Sequence, residues 1–201
     1  MSAFLHQHHG ECKILNLVPY KERIKYVKNI GVVFGQRSQL WWDVPPNDSF
    51  YLLRDIYKIP KDEFEKTKNI LVKALNVEKF INIPTRQLSL GQRMRCEIIA
   101  SLLHKPKVLF LDEPTIGLDA VSKLQVREFI KYINKKWKTT IIITTHDMQD
   151  IEALTDRVIL IGKGQKLYDG SLKELRKKYS NKKYTSIEMV MAKVYKELNI
   201  A

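Results

Sequence analysis

The 201-residue sequence contains no G-x-x-x-x-G-K-[ST] stretch. Its own residues therefore cannot build the Gly-rich cradle of N–H groups, with its Lys and Ser/Thr, that such a stretch folds around phosphates. No run of about 18 apolar residues occurs, so no segment is expected to cross a bilayer as a helix. Cysteine is scarce. Cys12 and Cys96 stand far apart, in neither a metal-ligand spacing nor a disulfide framework, as expected in a reducing cytosol. The opening residues show no basic stretch followed by an apolar one, so no secretory signal is expected. Internal repeats and low-complexity linkers are missing as well, which excludes solenoids and arrays.

Acidic residues are outnumbered, 22 against 35 basic ones, for a net charge of +13. Such a balance suits nucleic acid, anionic lipid or an acidic partner, and does not choose among them. A nucleic-acid reading rests on this charge alone and lacks a recognition element. The excess crowds at Arg176, Lys177, Lys178, Lys182 and Lys183, which reads equally as a solvated surface. The chain is 44% hydrophobic, enough for a core in one domain. His6, His8 and His9 cluster in residues 1–10, read as a disordered leader rather than a metal site.

Ile30–Phe34 (IGVVF) reads as a strand. Asp48–Ile59 and Phe64–Phe80 read as helices separated by Pro60, with Phe50, Leu53, Ile56 and Tyr57 as the apolar stripe of the first. Residues 48–84 thus form a helical insert. Arg93–His104 is helical. Val108–Leu111 (VLFL) and Thr140–Thr144 (TIIIT) are unbroken apolar runs, expected as strands buried on both faces. Val121–Lys136 between them is an amphipathic helix with Leu124, Phe129, Ile130 and Ile133 inward. Met148–Leu154 is a short helix. Val158–Ile161 is a third strand, and Gly162–Gln165 turns it into a hairpin partner at Lys166–Tyr168. Strand, helix, strand, helix, strand predicts an α/β fold with a parallel sheet and covering helices, with ligands at the carboxyl ends of the strands.

Polar residues gather at those ends. Asp112 and Glu113 follow VLFL directly. One carboxylate can hold Mg²⁺ through water and the other can take a proton from a water attacking a phosphate; structural acids at strand ends are equally ordinary. Leu88-Ser89-Leu90-Gly91-Gln92 opens a helix. Ser89 suits an N-cap, Gly91 leaves room for close backbone approach by a ligand, and helix N-termini attract anions; an ordinary capped helix reads the same way. His146, after Thr144-Thr145, is either a plain surface residue or a contact for a terminal phosphate. Asp119 sits in a turn, Gly117-Leu118-Asp119. Gln36, after the first strand, has an amide oxygen able to meet a metal or its water.

Taken in order, Gln36, the helical insert, LSLGQ, LDEP, GLD and THD resemble the ATPase subunits of ATP-binding-cassette (ABC) transporters, from Gln36 to about Leu175. The resemblance implies an ABC-type, P-loop NTPase fold, here incomplete, with a helical subdomain at about 48–84. It implies ATP and Mg²⁺ as cofactors. Glu113 and His146 would be catalytic, Asp112 and Gln36 would hold the metal, and Gln36, Ser89, Gly91, Gln92 and Asp119 would meet nucleotide. Leu90 stands where the family more often has glycine. GQRSQLWWDVPPNDSF further resembles the ATPases of small drug- and antibiotic-exporters. Family members pair head to tail, each nucleotide lying between the phosphate loop of one domain and the LSLGQ-type helix of the other. The expected partners are therefore a second ABC ATPase domain and a membrane permease, with no nucleic acid; Trp41, Trp42 and the insert lie where relatives touch the permease, and the two tryptophans read equally as subdomain core. The expected location is the cytoplasmic face of the membrane.

Residues 11–178 are then a partial ABC ATPase domain, and 179–201 a basic linker and C-terminal helix. Gly10–Lys13 with Ile14–Leu17 resembles the strand that follows the phosphate-loop helix in relatives. The missing loop implies a start lying upstream, a loop borrowed from a partner, or a degenerate, non-hydrolysing remnant that offers only its LSLGQ half of a composite site.

Overall fold

The computed structural model describes residues 10–35, 37–179 and 187–197, in two units, residues 1–144 and 145–201. His6, His8, His9, Gln36, Lys182 and Lys183 lie outside the described residues.

The first unit is built on three parallel strands, β1 (Ile30–Phe34), β2 (Val108–Asp112) and β3 (Thr140–Thr144), in the order β1-β2-β3. Alternation along the strands divides their side chains between two faces. Ile30, Val32, Val108 and Phe110 pack with Tyr26, of helix α1 (Arg23–Val27), and with Ile14, Leu17 and Val27. Val33, Leu109 and Leu111 are each about 1% exposed. Burying each such side chain contributes about 1.5–3 kcal/mol.

Beside the sheet stand α2 (Pro46–Tyr57), α3 (Lys61–Ala74), α4 (Leu90–Leu102) and α5 (Ala120–Trp137). Helix α2 starts two residues earlier than its apolar pattern, because Pro46 suits the first turn. It stops at Lys58, which takes a left-handed φ of 54°. Helix α3 begins directly after Pro60, with Asp62 and Glu63 in its first turn against the dipole. It ends at Ala74 rather than running to Phe80, since Asn76 turns left-handed at φ 52°. Helix α4 packs on β1, α2, α3 and α5, so nearly every residue from Met94 to Leu102 is buried. Its approach to β1 depends on Gly31, where a Cβ would lie 2.4 Å from the Ser101 carbonyl oxygen.

Several expectations need correction. TIIIT is not buried on both faces: among the described residues β3 pairs only with β2, and Ile142 is 48% exposed. An apolar β-branched run looks the same at a sheet's centre and at its edge. Leu124, expected inward, is 55% exposed on α5, and Ile56 is 61% exposed on α2; Leu124 stands on the helix face opposite Val126, Phe129, Ile130 and Ile133, and Ile56 lies beside the stripe its helix buries. Residues 10–17 form no strand. Ile14 and Leu17 bridge across a tight turn through Leu15 and Asn16, both at positive φ.

The second unit holds α6 (Met148–Leu154), β4 (Arg157–Gly162), β5 (Gln165–Ser171), α7 (Leu172–Tyr179) and α8 (Ile187–Glu197). The expected hairpin is present, but β4 pairs antiparallel with β5 in a separate sheet and not with the parallel strands. Its core joins Ile151, Val158, Leu160, Leu175, Val190 and Val194. No helix among the described residues is long and apolar enough to cross a membrane.

Candidate functional site

Strand register sets Phe34, Asp112 and Thr144 side by side at the carboxyl end of the parallel sheet. The ladder runs one residue further: Gly35 N–H donates to the Asp112 carbonyl at 2.8 Å, and Glu113 N–H to the Thr144 carbonyl at 3.0 Å. The Thr144 hydroxyl donates to Asp112 Oδ1 at 2.5 Å, which orients this exposed carboxylate. Glu113 has φ +51°, a conformation that costs a residue with a Cβ about 1–2 kcal/mol. Such strain gathers at functional positions. Here it turns the chain out of the strand into a bend closed by Ile116 N–H on the Glu113 carbonyl at 3.2 Å. Gly35 passes so close that a Cβ would sit 2.5 Å from the Glu113 carbonyl oxygen.

Phe34, Gly35, Arg37, Asp112 and Glu113 line a cavity of about 430 Å³. Two carboxylates and one guanidinium around one space suit a ligand that brings phosphate and a divalent cation together. Among the described residues no cluster of three or more His, Cys, Asp and Glu is placed to hold a metal. A pair of carboxylates fits Mg²⁺, which takes oxygen ligands, keeps several waters and shares phosphates. It does not fit a structural zinc, which needs four protein ligands. A cavity of about 590 Å³, walled by Leu15, Trp137, Lys105, Lys107 and Lys138 among others, contains none of the residues singled out from the sequence.

A second group forms where α4 and α5 begin. Ser89 and Gln92 make a reciprocal capping box: the Ser89 hydroxyl accepts from Gln92 N–H at 3.2 Å, and Gln92 Oε1 accepts from Ser89 N–H at 2.9 Å. Asp119 caps α5, its Oδ1 accepting from the Val121 and Ser122 N–H groups at 3.0 and 2.9 Å and its Oδ2 from the Ser122 hydroxyl at 2.6 Å. The Ser122 hydroxyl and the helix N–H groups hold this carboxyl below the usual carboxylate range. Gly91 is buried, and a Cβ there would meet Ser122 Oγ at 2.5 Å. A side chain at position 91 would therefore collide with α5, so glycine is what lets α4 pack against α5 there.

His146 lies in the second unit and is exposed. The chain around it is well braced: Asp147 N–H donates to Thr145 Oγ1 at 3.0 Å, Thr145 Oγ1 to Asp150 Oδ2 at 3.2 Å, and Asp147 caps α6 through Gln149 N–H at 2.9 Å. The first unit therefore brings Asp112 and Glu113 together, and separately Ser89, Gly91, Gln92 and Asp119.

Three contributors had no sequence signal of their own. Thr144 acts through register against Asp112. Arg37 reaches the cavity by the turn after β1. Ser122 looked like any residue of an amphipathic helix.

The sequence pattern of the family described as ABC transporter matches residues 1–116. The ABC transporter ATP-binding protein NatA of Bacillus subtilis is 30% identical over 155 residues, 77% of this chain and 63% of the relative. The energy-coupling factor transporter ATP-binding protein EcfA of Methanocaldococcus jannaschii is 39% identical over 156 residues, 77% of this chain and 55% of that protein. This chain thus spans between half and two thirds of the length of these relatives. The structure of cbiO1 from Clostridium perfringens, part of the ABC transporter complex cbiONQ, superposes with a TM-score of 0.77 at 27% identity, covering 98% of this chain and 76% of that one. The fold is the α/β fold of ABC ATPases, and the chain belongs to the ABC transporter family as an ATP-binding domain.

Proposed function

We propose that this chain contributes to an ABC ATPase that couples ATP binding and hydrolysis to export through a membrane permease, at the cytoplasmic face of the membrane. The observation that carries the reading is the carboxylate pair at the end of β2: Asp112 oriented by Thr144, and Glu113 turned by a strained backbone into the cavity it shares with Arg37. Mg²⁺, when bound with ATP, supplies charge neutralisation across the phosphates.

Asp112, with Gln36 as a second oxygen donor, would hold that Mg²⁺. Glu113 takes the proton of the attacking water. His146, by its place in the THD run, would orient that water against the terminal phosphate. Ser89, Gly91 and Gln92 present the α4 N-terminus to nucleotide held by a second ABC ATPase domain, and Asp119 stands beside them. Trp41 and Trp42, 56% and 51% exposed, and the α2–α3 insert meet the permease. In this reading residues 11–178 are the ATPase body and 179–201 a basic linker and terminal helix. The GQRSQLWW segment supports the drug- and antibiotic-exporter branch.

The 201 residues contain no G-x-x-x-x-G-K-[ST], so the phosphate loop comes from outside them. That observation also supports a second reading, a non-hydrolysing subunit that completes a partner's site through LSLGQ. The test is MgATP hydrolysis by the chain joined to an N-terminal segment bearing that loop. Turnover that Glu113→Gln abolishes while nucleotide stays bound supports the first reading. Absent turnover, with Ser89→Arg lowering the activity of a competent partner, supports the second. Undiminished hydrolysis in Glu113→Gln refutes the base assignment.

A further inference from the structure

Glu97 is a buried carboxylate on α4, 3% exposed, that has no part in the reading above. A charge so placed is costly unless donors surround it. Its donors come from one short segment, the residues that leave the cavity after β1. The Ser38 hydroxyl donates to Oε1. The Gln39 N–H is shared between Oε1 and Oε2, at 3.2 Å from each. The Gln39 amide Nε2 donates to the Glu97 carbonyl at 3.2 Å. The Ser38 hydroxyl in turn accepts from Leu40 N–H at 3.2 Å, and Leu40 is buried at 4% exposure.

One turn earlier on the same face of α4, the Arg93 guanidinium lies 5.4 Å over the Trp42 ring. The segment is therefore pinned to α4 twice. At one end it enters the carboxylate cavity through Gly35 and Arg37. At the other it carries Trp41 and Trp42. The helix that pins it is the one whose first turn is the LSLGQ cap.

We propose that Glu97 is a positioning residue: it fastens the Ser38–Leu40 segment to α4, so that a rearrangement at the carboxylate cavity is passed to the exposed tryptophan pair rather than absorbed by a loose loop. The transmitted signal rests on the nucleotide reading above; the fastening does not. A carboxylate is needed because it accepts from a hydroxyl and a backbone N–H at once. An amide at the same position turns a donor toward one of them. Shortening to Asp withdraws both oxygens by one methylene.

The test uses the full chain carrying Trp137→Phe, so that emission comes from Trp41 and Trp42 alone. Amide exchange is measured with and without Glu97→Gln. Loss of hydrogen bonds to a charged acceptor should speed local exchange at Gln39 and Leu40 about 10-fold or more, with β1 and β2 amides unchanged and tryptophan anisotropy lowered. Glu97→Asp should not restore protection. Ser38→Ala, at an exposed position, removes the acceptor of Leu40 N–H and the hydroxyl donor to Glu97; it should speed exchange at Leu40 at least as much and at Gln39 less, and serves if Glu97→Gln does not fold. Unchanged exchange at Gln39 and Leu40, or an equal rise across the whole unit, overturns the proposal, the latter by making Glu97 a mere core residue. MgATP is then titrated into the same proteins joined to a tryptophan-free N-terminal segment bearing G-x-x-x-x-G-K-[ST]. If neither protein's emission responds, the nucleotide reading fails while the exchange result still decides the fastening. If Glu97→Gln responds as fully as its parent, transmission through Glu97 is refuted.

Discussion

Gly31→Ala offers the sharpest check on how α4 is seated against the sheet. The added Cβ would stand 2.4 Å from the Ser101 carbonyl oxygen, 2.9 Å from Leu109 Cδ1 and 3.1 Å from Pro106 Cγ. The nearest atom belongs to the α4 backbone, so it cannot be relieved by a side-chain rotation. Either β1 and α4 part, or the methyl is accommodated under strain. Overpacking of this kind costs about 1–3 kcal/mol, and a backbone obstacle puts the cost at the upper end. Alanine also reduces the freedom of the unfolded chain, which returns about 0.4–1 kcal/mol. The net expectation is about 2 kcal/mol of destabilisation, or roughly 4–8 °C in Tm for a protein of this size. Gly164→Ala is the control. It has φ +73° and no atom within 4 Å of its Cβ, so it should lose only the roughly 1 kcal/mol of left-handed strain. Urea titration read by far-UV circular dichroism, with thermal melts, measures both. A Gly31→Ala protein as stable as its parent, or no worse than Gly164→Ala, would refute the close seating of α4 on β1 and with it the geometry that sets the LSLGQ cap beside the sheet.

Gly91→Ala should be destabilising through Ser122 Oγ, 2.5 Å from the added carbon; Ser122→Gly should recover most of the loss, and additivity in the double-mutant cycle would refute the contact. His104 donates through Nε2 to the Ile30 carbonyl at 2.8 Å and stacks on Tyr57 at 4.0 Å, while its Nδ1 finds no partner among the described residues. Burial lowers its pKa below the ordinary 6.5, so the unfolded chain binds the extra proton first. Stability should therefore fall as pH drops below about 6.5, with a shallower slope in His104→Phe; an equal slope in both proteins would exclude His104 as the source. Burial pushes the Cys96 thiol up to about 12, whereas Cys12 is only partly buried. Iodoacetamide at pH 8 should modify one thiol per native chain and two in urea, and rapid native labelling of Cys96 would contradict its burial.

Much of the site was legible before any coordinates, because its chemistry is local in the chain. A carboxylate pair directly after an apolar strand, a Ser-x-x-Gln start to a helix and an aspartate before an amphipathic run each announce their own position. Ser89 and Gln92 form the capping box, and Asp119 caps α5. The IGVVF and VLFL strands and the helical insert followed from periodicity and from Pro60 in the same way. Burial that depends on a neighbouring element leaves no such local mark. TIIIT has the composition of a central strand and lies at an edge. VILI has the composition of a parallel strand and pairs with its own hairpin. Leu124 is apolar but sits on the helix face opposite Phe129, Ile130 and Ile133, and is exposed.

By itself the sequence determined which segments are strands and helices, where the acids, caps and turns fall, and that a G-x-x-x-x-G-K-[ST] loop is not among these residues, since all of these depend on residues within a few positions of one another. Only the tertiary structure decided that Thr144 orients Asp112, that Arg37 shares the cavity with two carboxylates, that Ser122 fills the space over Gly91, and that Glu97 grips a segment some 58 residues away in sequence. Those pairings depend on strand register and helix seating, which bring distant residues within hydrogen-bonding range without leaving a trace in the sequence around either partner.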